Sequence, residues 1–159
     1  MGTEIERKFL VIGDDWRSLG QGTVYRQGYI VSDQGRTVRV RVAGDRSYLT
    51  LKGPTVGLSR AEFEYEIPRT DADDIMRLLC SSPMIEKVRY RIAIADLVWE
   101  VDEFSGDNAG LIIAEVELHD EHQAIDLPPW IGQDVSGDPR YFNAYLAQHP
   151  FSQWSTSGD

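Results

Sequence analysis

The sequence predicts a mainly β fold of the α+β kind: eight antiparallel strands closing into a barrel, with a few peripheral helices. Three observations predict it. Apolar and polar residues alternate with a period of two through most of the first two-thirds of the chain, as on the pleat of a half-buried strand. Clusters of Gly, Asp and Pro interrupt the alternation at short intervals, where hairpin turns are expected. Segments with helical spacing are few and short. Many short antiparallel strands point to a closed barrel or a strongly curved sheet, and closure removes exposed edges.

The first strand is residues 3–12, with Ile5, Phe9 and Val11 on one side and Glu4, Glu6 and Lys8 on the other. Gly13-Asp14-Asp15 breaks it. Residues 23–32 form the second strand, which lacks clean alternation, and Asp33-Gln34-Gly35 turns the chain. The third, 37–43, sets Val38, Val40 and Val42 against Arg39 and Arg41, and Gly44-Asp45 makes a hairpin. The fourth, 47–52, sets Leu49 and Leu51 against Tyr48, Thr50 and Lys52. After a Gly/Pro-rich loop at 53–58, the fifth, 59–67, sets Ala61, Phe63, Tyr65 and Ile67 against Glu62, Glu64 and Glu66.

Pro68-Arg69-Thr70 ends that strand, and the spacing of Ile75, Met76, Leu78 and Leu79 predicts a helix over 71–80. Strands resume at 84–95, 97–104 and 111–119. A short helix is expected at 120–125, a loop at Pro128-Pro129-Trp130 and a final helix at 139–148. One domain covers residues 1–150, and residues 151–159 read as a disordered tail.

Composition narrows the function. With 42% hydrophobic and 26% charged residues, the chain has the composition of an ordinary folded domain. No apolar run is long enough to span a bilayer, and charges occupy the N-terminal stretch that a secretory signal needs apolar. Glu6 stands where a myristoylation motif wants Ser or Thr. A cytoplasmic protein without membrane association is expected. One cysteine, Cys80, excludes an internal disulfide framework. The net charge of −10 argues against nucleic acid as a partner, although a buried basic cluster could still hold a small anion. Self-association as a homodimer is left open.

The charges are sorted by strand. Glu4, Glu6 and Lys8 share one face, as do Arg39 and Arg41, Glu62, Glu64 and Glu66, Lys87, Arg89 and Arg91, Glu100 and Asp102, and Glu115 and Glu117. The chain has only three lysines, Lys8, Lys52 and Lys87, and all fall in these segments. Two readings compete. The apolar faces could pack on a core with the charged faces in water, the common arrangement for antiparallel sheets. Alternatively the charged faces point inward and the apolar exterior is covered by helices. Like charges at i and i+2 repel unless a counter-charge lies between them, which favours the second reading. Paired carboxylates suit a hard divalent cation, and Arg and Lys arrays suit phosphate oxygens. A polyphosphate–metal complex needs both.

Glu4-Ile5-Glu6-Arg7-Lys8-Phe9 carries an ExExK signature, and in this order with Arg39-Val40-Arg41, Leu51-Lys52-Gly53, Ser59-Arg60-Ala61-Glu62, Lys87-Val88-Arg89-Tyr90, Val101-Asp102-Glu103-Phe104 and Ala114-Glu115-Val116-Glu117 the chain resembles the CYTH superfamily of triphosphate tunnel metalloenzymes. The Arg26-Gln27-Gly28-Tyr29 segment and the length make it most similar to small bacterial members that hydrolyse inorganic tripolyphosphate. The resemblance implies an eight-stranded tunnel with a hydrophilic interior, Mg2+ or Mn2+ as cofactor, and a small-molecule triphosphate as substrate. By that resemblance Glu4, Glu6, Glu115 and Glu117, with Glu64 and Asp102 as further candidates, are expected to hold metal. Lys8, Arg39, Arg41, Lys52, Lys87 and Arg89 are expected to bind substrate, and Lys8, Tyr29 and Lys87 to act in catalysis, Tyr29 by contacting Lys8. The alternatives within the resemblance are a class IV-type adenylate cyclase and a thiamine or nucleoside triphosphatase. Outside enzymes, the alternative is a polyphosphate- or nucleotide-binding module.

Overall fold

The computed structural model describes residues 2–81 and 83–154. Nine strands form one antiparallel sheet: β1 (Thr3–Val11), β2 (Gln21–Asp33), β3 (Arg36–Ala43), β4 (Arg46–Lys52), β5 (Ser59–Ile67), β6 (Ile85–Ile94), β7 (Leu97–Phe104), β8 (Ile112–Glu117) and β9 (Ile131–Asp134). Their order is β5-β4-β3-β2-β6-β7-β8-β1-β9, and β5 also pairs with β1. That pairing closes strands β1 to β8 into the expected eight-stranded barrel.

The closing seam is short. Thr3, Glu4 and Ile5 of β1 pair with Ala61, Arg60 and Ser59 of β5. Beyond it the same edge of β1 is taken over by β9, with Phe9 opposite Asp134 and Val11 opposite Ile131. The other edge of β1 pairs with β8 from Glu6–Glu117 to Leu10–Ile113. β9 was not foreseen, because Ile131-Gly132-Gln133-Asp134 is too short to show a period.

The apolar faces point outward and are covered on two sides, while Val24 on β2 and Leu51, Phe63 and Tyr65 on β4 and β5 stay exposed. Helix α1 (Arg69–Leu78) lays Ala72 and Met76 over Val40 and Val42 of β3. On the opposite wall the cover is aromatic rather than helical. Trp16, on a 3-10 turn at Asp15–Ser18, packs its ring edge-on against Tyr90 at 5.1 Å. Trp99 lies between Phe9 and Trp130, at 5.7 and 5.9 Å. Both Trp16 and Trp99 are fully buried. Gly28 permits a close approach on β2: a Cβ there would lie 2.7 Å from the Met84 side chain and 2.9 Å from Cys80 Sγ.

One end of the barrel is plugged. Leu10, Tyr29, Ile85, Phe104, Leu111 and Ile113 cluster there with Leu146 and Ala147 of helix α2 (Asn143–Gln148). Several of these continue the parity of charged residues: Ile85 follows Arg89 and Lys87 on β6, and Phe104 follows Glu100 and Asp102 on β7. The inward face therefore changes from charged to apolar along the strands.

Two helical expectations are corrected. Residues 120–125 form no helix; the Gln123 amide donates to the Asp120 carbonyl at 3.1 Å in an isolated turn, and so short a segment cannot recover the cost of helix nucleation. The helix expected at 139–148 is broken at Phe142, whose extended backbone (ψ 138°) separates a 3-10 turn at Pro139–Tyr141 from α2. The first residues of the tail expected at 151–159 are structured. Phe151–Gln153 forms a 3-10 turn, and Phe151 and Trp154 pack on the plug; residues 155–159 lie outside the described residues. No described helix is long and apolar enough to cross a membrane.

Candidate active site

The barrel encloses a cavity of about 550 Å3, open at one mouth and floored by the C-terminal segment. Its walls carry the side chains sorted by strand in the sequence. Glu4, Glu6, Lys8, Arg39, Arg41, Lys52, Glu64, Lys87, Arg89, Glu115 and Glu117 all line it, as does Tyr29. Alternation places them there: each strand contributes every second residue, and the ring brings seven strands onto one space.

One wall is acidic. Glu6 and Glu117 are direct cross-strand partners, and Lys8 is the partner of Glu115. The Lys8 ammonium lies 2.6 Å from Glu115 Oε2 and 3.5 Å from Glu6 Oε1. Lys52 Nζ lies 3.1 Å from Glu4 Oε1 and 3.6 Å from Glu62. Burial, with the nearby Glu115 charge, pushes the Glu6 carboxyl up to about 7. Burial and the charges of Glu4, Glu62 and Glu100 push Glu117 upward as well. Glu115 behaves oppositely: burial would raise it, but Lys8 and Arg89 outweigh that and hold it well below the usual carboxylate range.

Among the described residues, no three acidic, histidine or cysteine side chains already converge on one point, because the lysines hold the carboxylates. The donor set nevertheless suits a hard divalent cation. Its oxygens are all carboxylate, and burial together with neighbouring carboxylates raises Glu6 and Glu117, a cost that a cation between them would offset.

The facing wall is basic. Arg39 is buried; its Nη2 donates to Thr50 Oγ1 at 3.3 Å and lies 3.7 Å from Glu64, while its Nε has no partner among the described residues. A buried donor left unpaired costs free energy that an anion's oxygen would recover. Arg41 makes no ion pair among the described residues, and its Nε donates to Gln27 Oε1 at 2.8 Å. Burial, Arg39 and Arg89 together bring Arg41 down to about 10. Arg89 forks onto Asp102 at 2.7 and 2.8 Å and reaches Glu115 at 3.1 Å. Lys87, 1% exposed, sits 2.8 Å from Asp102 and 2.9 Å from Asn143 Oδ1. Burial lowers the Lys87 ammonium to about 7 against the pull of Asp102.

Two expected residues sit differently from their expected roles. Asp102 is not among the cavity-lining residues; it lies behind the wall, 1% exposed, and its two oxygens serve Arg89 and Lys87. The Tyr29 hydroxyl is 3.3 Å from Gln27 Nε2, and its ring belongs to the plug, so its recorded partner is Gln27 rather than Lys8. Glu64 stands across the cavity with Thr50 and Arg39, apart from the Glu6–Glu117 pair. Sequence reasoning missed Tyr25, Gln27, Phe142 and Asn143. Tyr25 and Gln27 share the parity of Tyr29, which was the available signal. Asn143 arrives from a distant segment, and nothing local marks it.

Comparison with known proteins places this geometry. The CYTH domain profile matches residues 2–142. The inorganic triphosphatase of Acetivibrio thermocellus is 52% identical over 154 residues, covering 97% of this chain and 99% of the relative. The inorganic triphosphatase of Nitrosomonas europaea is 37% identical over 149 residues, covering 91% and 97%. A crystal structure of an inorganic triphosphatase superposes with a TM-score of 0.64 at 34% identity, covering 92% of this chain and 95% of that one. A conserved hypothetical protein from Pyrococcus furiosus shares the fold, with a TM-score of 0.58 at 19% identity over 74% of this chain and 79% of that one.

Proposed function

The chain belongs to the CYTH domain family, and from that premise we propose that it is a divalent-metal-dependent triphosphatase that hydrolyses inorganic tripolyphosphate to pyrophosphate and phosphate. The Acetivibrio thermocellus and Nitrosomonas europaea relatives are inorganic triphosphatases, and their similarity spans almost the whole chain. The observation that carries the reading is the pairing of two unfinished walls in one cavity. Arg41 and Arg39 Nε lack anionic partners among the described residues, and Glu6 and Glu117 lack sufficient cationic ones. A triphosphate complexed to a divalent cation completes both.

Glu4, Glu6, Glu115 and Glu117 would hold the cation, for which Mg2+ and Mn2+ are the candidates by ligand hardness. When bound, the metal neutralises phosphate charge and lowers the pKa of water. Arg39, Arg41, Lys52 and Arg89 would clamp phosphate oxygens and stabilise charge in the transition state. Lys87, lining the cavity and held in place by Asp102 and Asn143, would add positive charge to the basic wall. Lys8, between Glu115 and Glu6, would swing between the carboxylates and a phosphoryl oxygen. The reaction breaks one P–O–P bond; water supplies oxygen to the released phosphate, and its proton leaves to solvent or to a phosphate oxygen. The plug directs substrate entry and product release to the open mouth.

Incubating the purified protein with tripolyphosphate, ATP or thiamine triphosphate, with Mg2+ or Mn2+, tests this. Phosphate release fastest from tripolyphosphate is the expected result. Cyclic AMP from ATP, or tight binding without turnover under any condition, would overturn it.

A further inference from the structure

Strand β2 lies between the two basic strands β3 and β6, yet its inward residues Tyr25, Gln27 and Tyr29 carry no charge. Gln27 is the cross-strand partner of Arg41, and Tyr25 is the partner of Lys87. Resting on the triphosphatase reading, we propose that Gln27 and Tyr25 are positioning residues that hold the Arg41 guanidinium for an incoming phosphate without neutralising it.

The other inward cations are already engaged. Lys8 has Glu115, Lys52 has Glu4, Arg39 has Glu64, and Lys87 and Arg89 share Asp102. Arg60 donates to the carbonyls of Gly53 and Gly35 at 2.9 and 3.0 Å. Arg41 has the Gln27 amide oxygen alone as its hydrogen-bond acceptor among the described residues.

The orientation of that amide is dictated by a chain of donors. Lys87 can only donate, so the Asn143 side chain must turn its oxygen toward it, at 2.9 Å. The same oxygen lies 3.1 Å from Gln27, which must therefore present its NH2. The Gln27 oxygen is left to face Arg41 at 2.8 Å. Gln27 has no exposed surface, so no water competes. One guanidinium donor is satisfied and the positive charge is retained.

Tyr25 acts through its ring. The Arg41 guanidinium lies 4.9 Å from the ring centroid, that of Arg89 5.0 Å, and the Lys87 ammonium 6.0 Å. A ring face attracts cations without cancelling their charge. Its attraction for both guanidiniums offsets part of the repulsion that Arg89 exerts on Arg41.

The discriminating substitution is Gln27→Glu, which keeps the shape and gives Arg41 a carboxylate. KM for tripolyphosphate and its Kd measured calorimetrically in a chelator are expected to rise roughly tenfold or more, because a charge-assisted contact to phosphate is lost. The melting temperature should fall modestly, because the carboxylate loses the amide donor to Asn143 Oδ1 and Tyr29 while Arg41 gains an ion pair. At the half-buried Tyr25, Tyr25→Leu is expected to raise KM at least roughly threefold more than Tyr25→Phe, which keeps the ring face. If wild type neither binds nor hydrolyses tripolyphosphate, the functional reading falls and this inference with it. If wild type is active but Gln27→Glu keeps its KM and Kd, or loses only stability, the positioning role alone is overturned. Should Gln27→Glu fail to fold, equal KM values for the two Tyr25 variants overturn it.

Discussion

Glu6 and Glu117 stand directly opposite each other on β1 and β8, two carboxylates where a cross-strand pair would ordinarily combine opposite charges. Burial holds both carboxyls above their ordinary range, Glu6 at about 7. Besides burial, Glu115 and Glu4 raise Glu6, and Glu4, Glu62 and Glu100 raise Glu117, so the electrostatic tension is shared across the acidic wall, and a bound cation would release it.

That tension has a pH signature. The folded Glu6 carboxyl binds its proton up to about pH 7, against an ordinary value of 4.5. Between those values the folded state holds more protons than the unfolded state, so metal-free stability falls as pH rises through the window. Thermal melts in chelator across about pH 5 to 8 should show this fall, and Mg2+ or Mn2+ should flatten it and raise the melting temperature. Glu6→Gln should reduce the slope in chelator, leaving the part that the raised Glu117 contributes. A metal-free stability that is flat or rises with pH would count against the assignment.

Lys8 lies 2.6 Å from Glu115 and 3.5 Å from Glu6, so it would compete with a cation for them. Lys8→Met should lower the metal concentration for half-maximal activity while reducing kcat roughly hundredfold. Steady-state rates against metal concentration separate the two effects. A higher metal requirement would contradict this placement of Lys8.

Asp102 anchors the basic wall from behind, through Arg89 at 2.7 Å and Lys87 at 2.8 Å. Breaking such a buried cluster from one side should destabilise Asp102→Asn by about 3–5 kcal/mol. Its KM for tripolyphosphate should rise while the half-saturating metal concentration stays within about twofold, since a ligand loss typically costs more. Urea denaturation and metal titration of activity read the two quantities.

Helix α2 is part of the barrel's closure. Leu146 is fully buried in the plug with Phe104 and Ile113. Leu146→Ala should cost about 2–5 kcal/mol of stability, measured by urea denaturation. A near-neutral result would mean that the C-terminal segment packs on the barrel without sealing it.

Much of this was legible in the sequence where period and turn chemistry agree. The bounds read for β5 and β7, at 59–67 and 97–104, are those of the structure. The sorted charges of β1, β3, β6 and β8 do meet in one cavity. Alternation alone could not say which face turns inward, because a solvated charged face and a buried one share a period. The ordered motifs resolved that ambiguity. Tyr25 and Gln27 escape the pattern because exposed Val24 and Arg26 flank Tyr25, so β2 shows no polar–apolar contrast. Asp102 was taken as a metal ligand because parity places a carboxylate on a face but not its depth. Arg89, opposite it on β6, draws it behind the wall. Asn143 reaches Lys87 from 56 residues away, a contact that no local pattern encodes.

The most direct test of the two-walled cavity is the turnover of tripolyphosphate, followed by phosphorus NMR over a Mg2+ titration, in wild type and in Glu6→Gln/Glu117→Gln. The expected result is one pyrophosphate and one phosphate per tripolyphosphate consumed by wild type, with turnover abolished by chelator and by the double substitution. Hydrolysis that persists undiminished in the double variant, or without divalent metal, would contradict it.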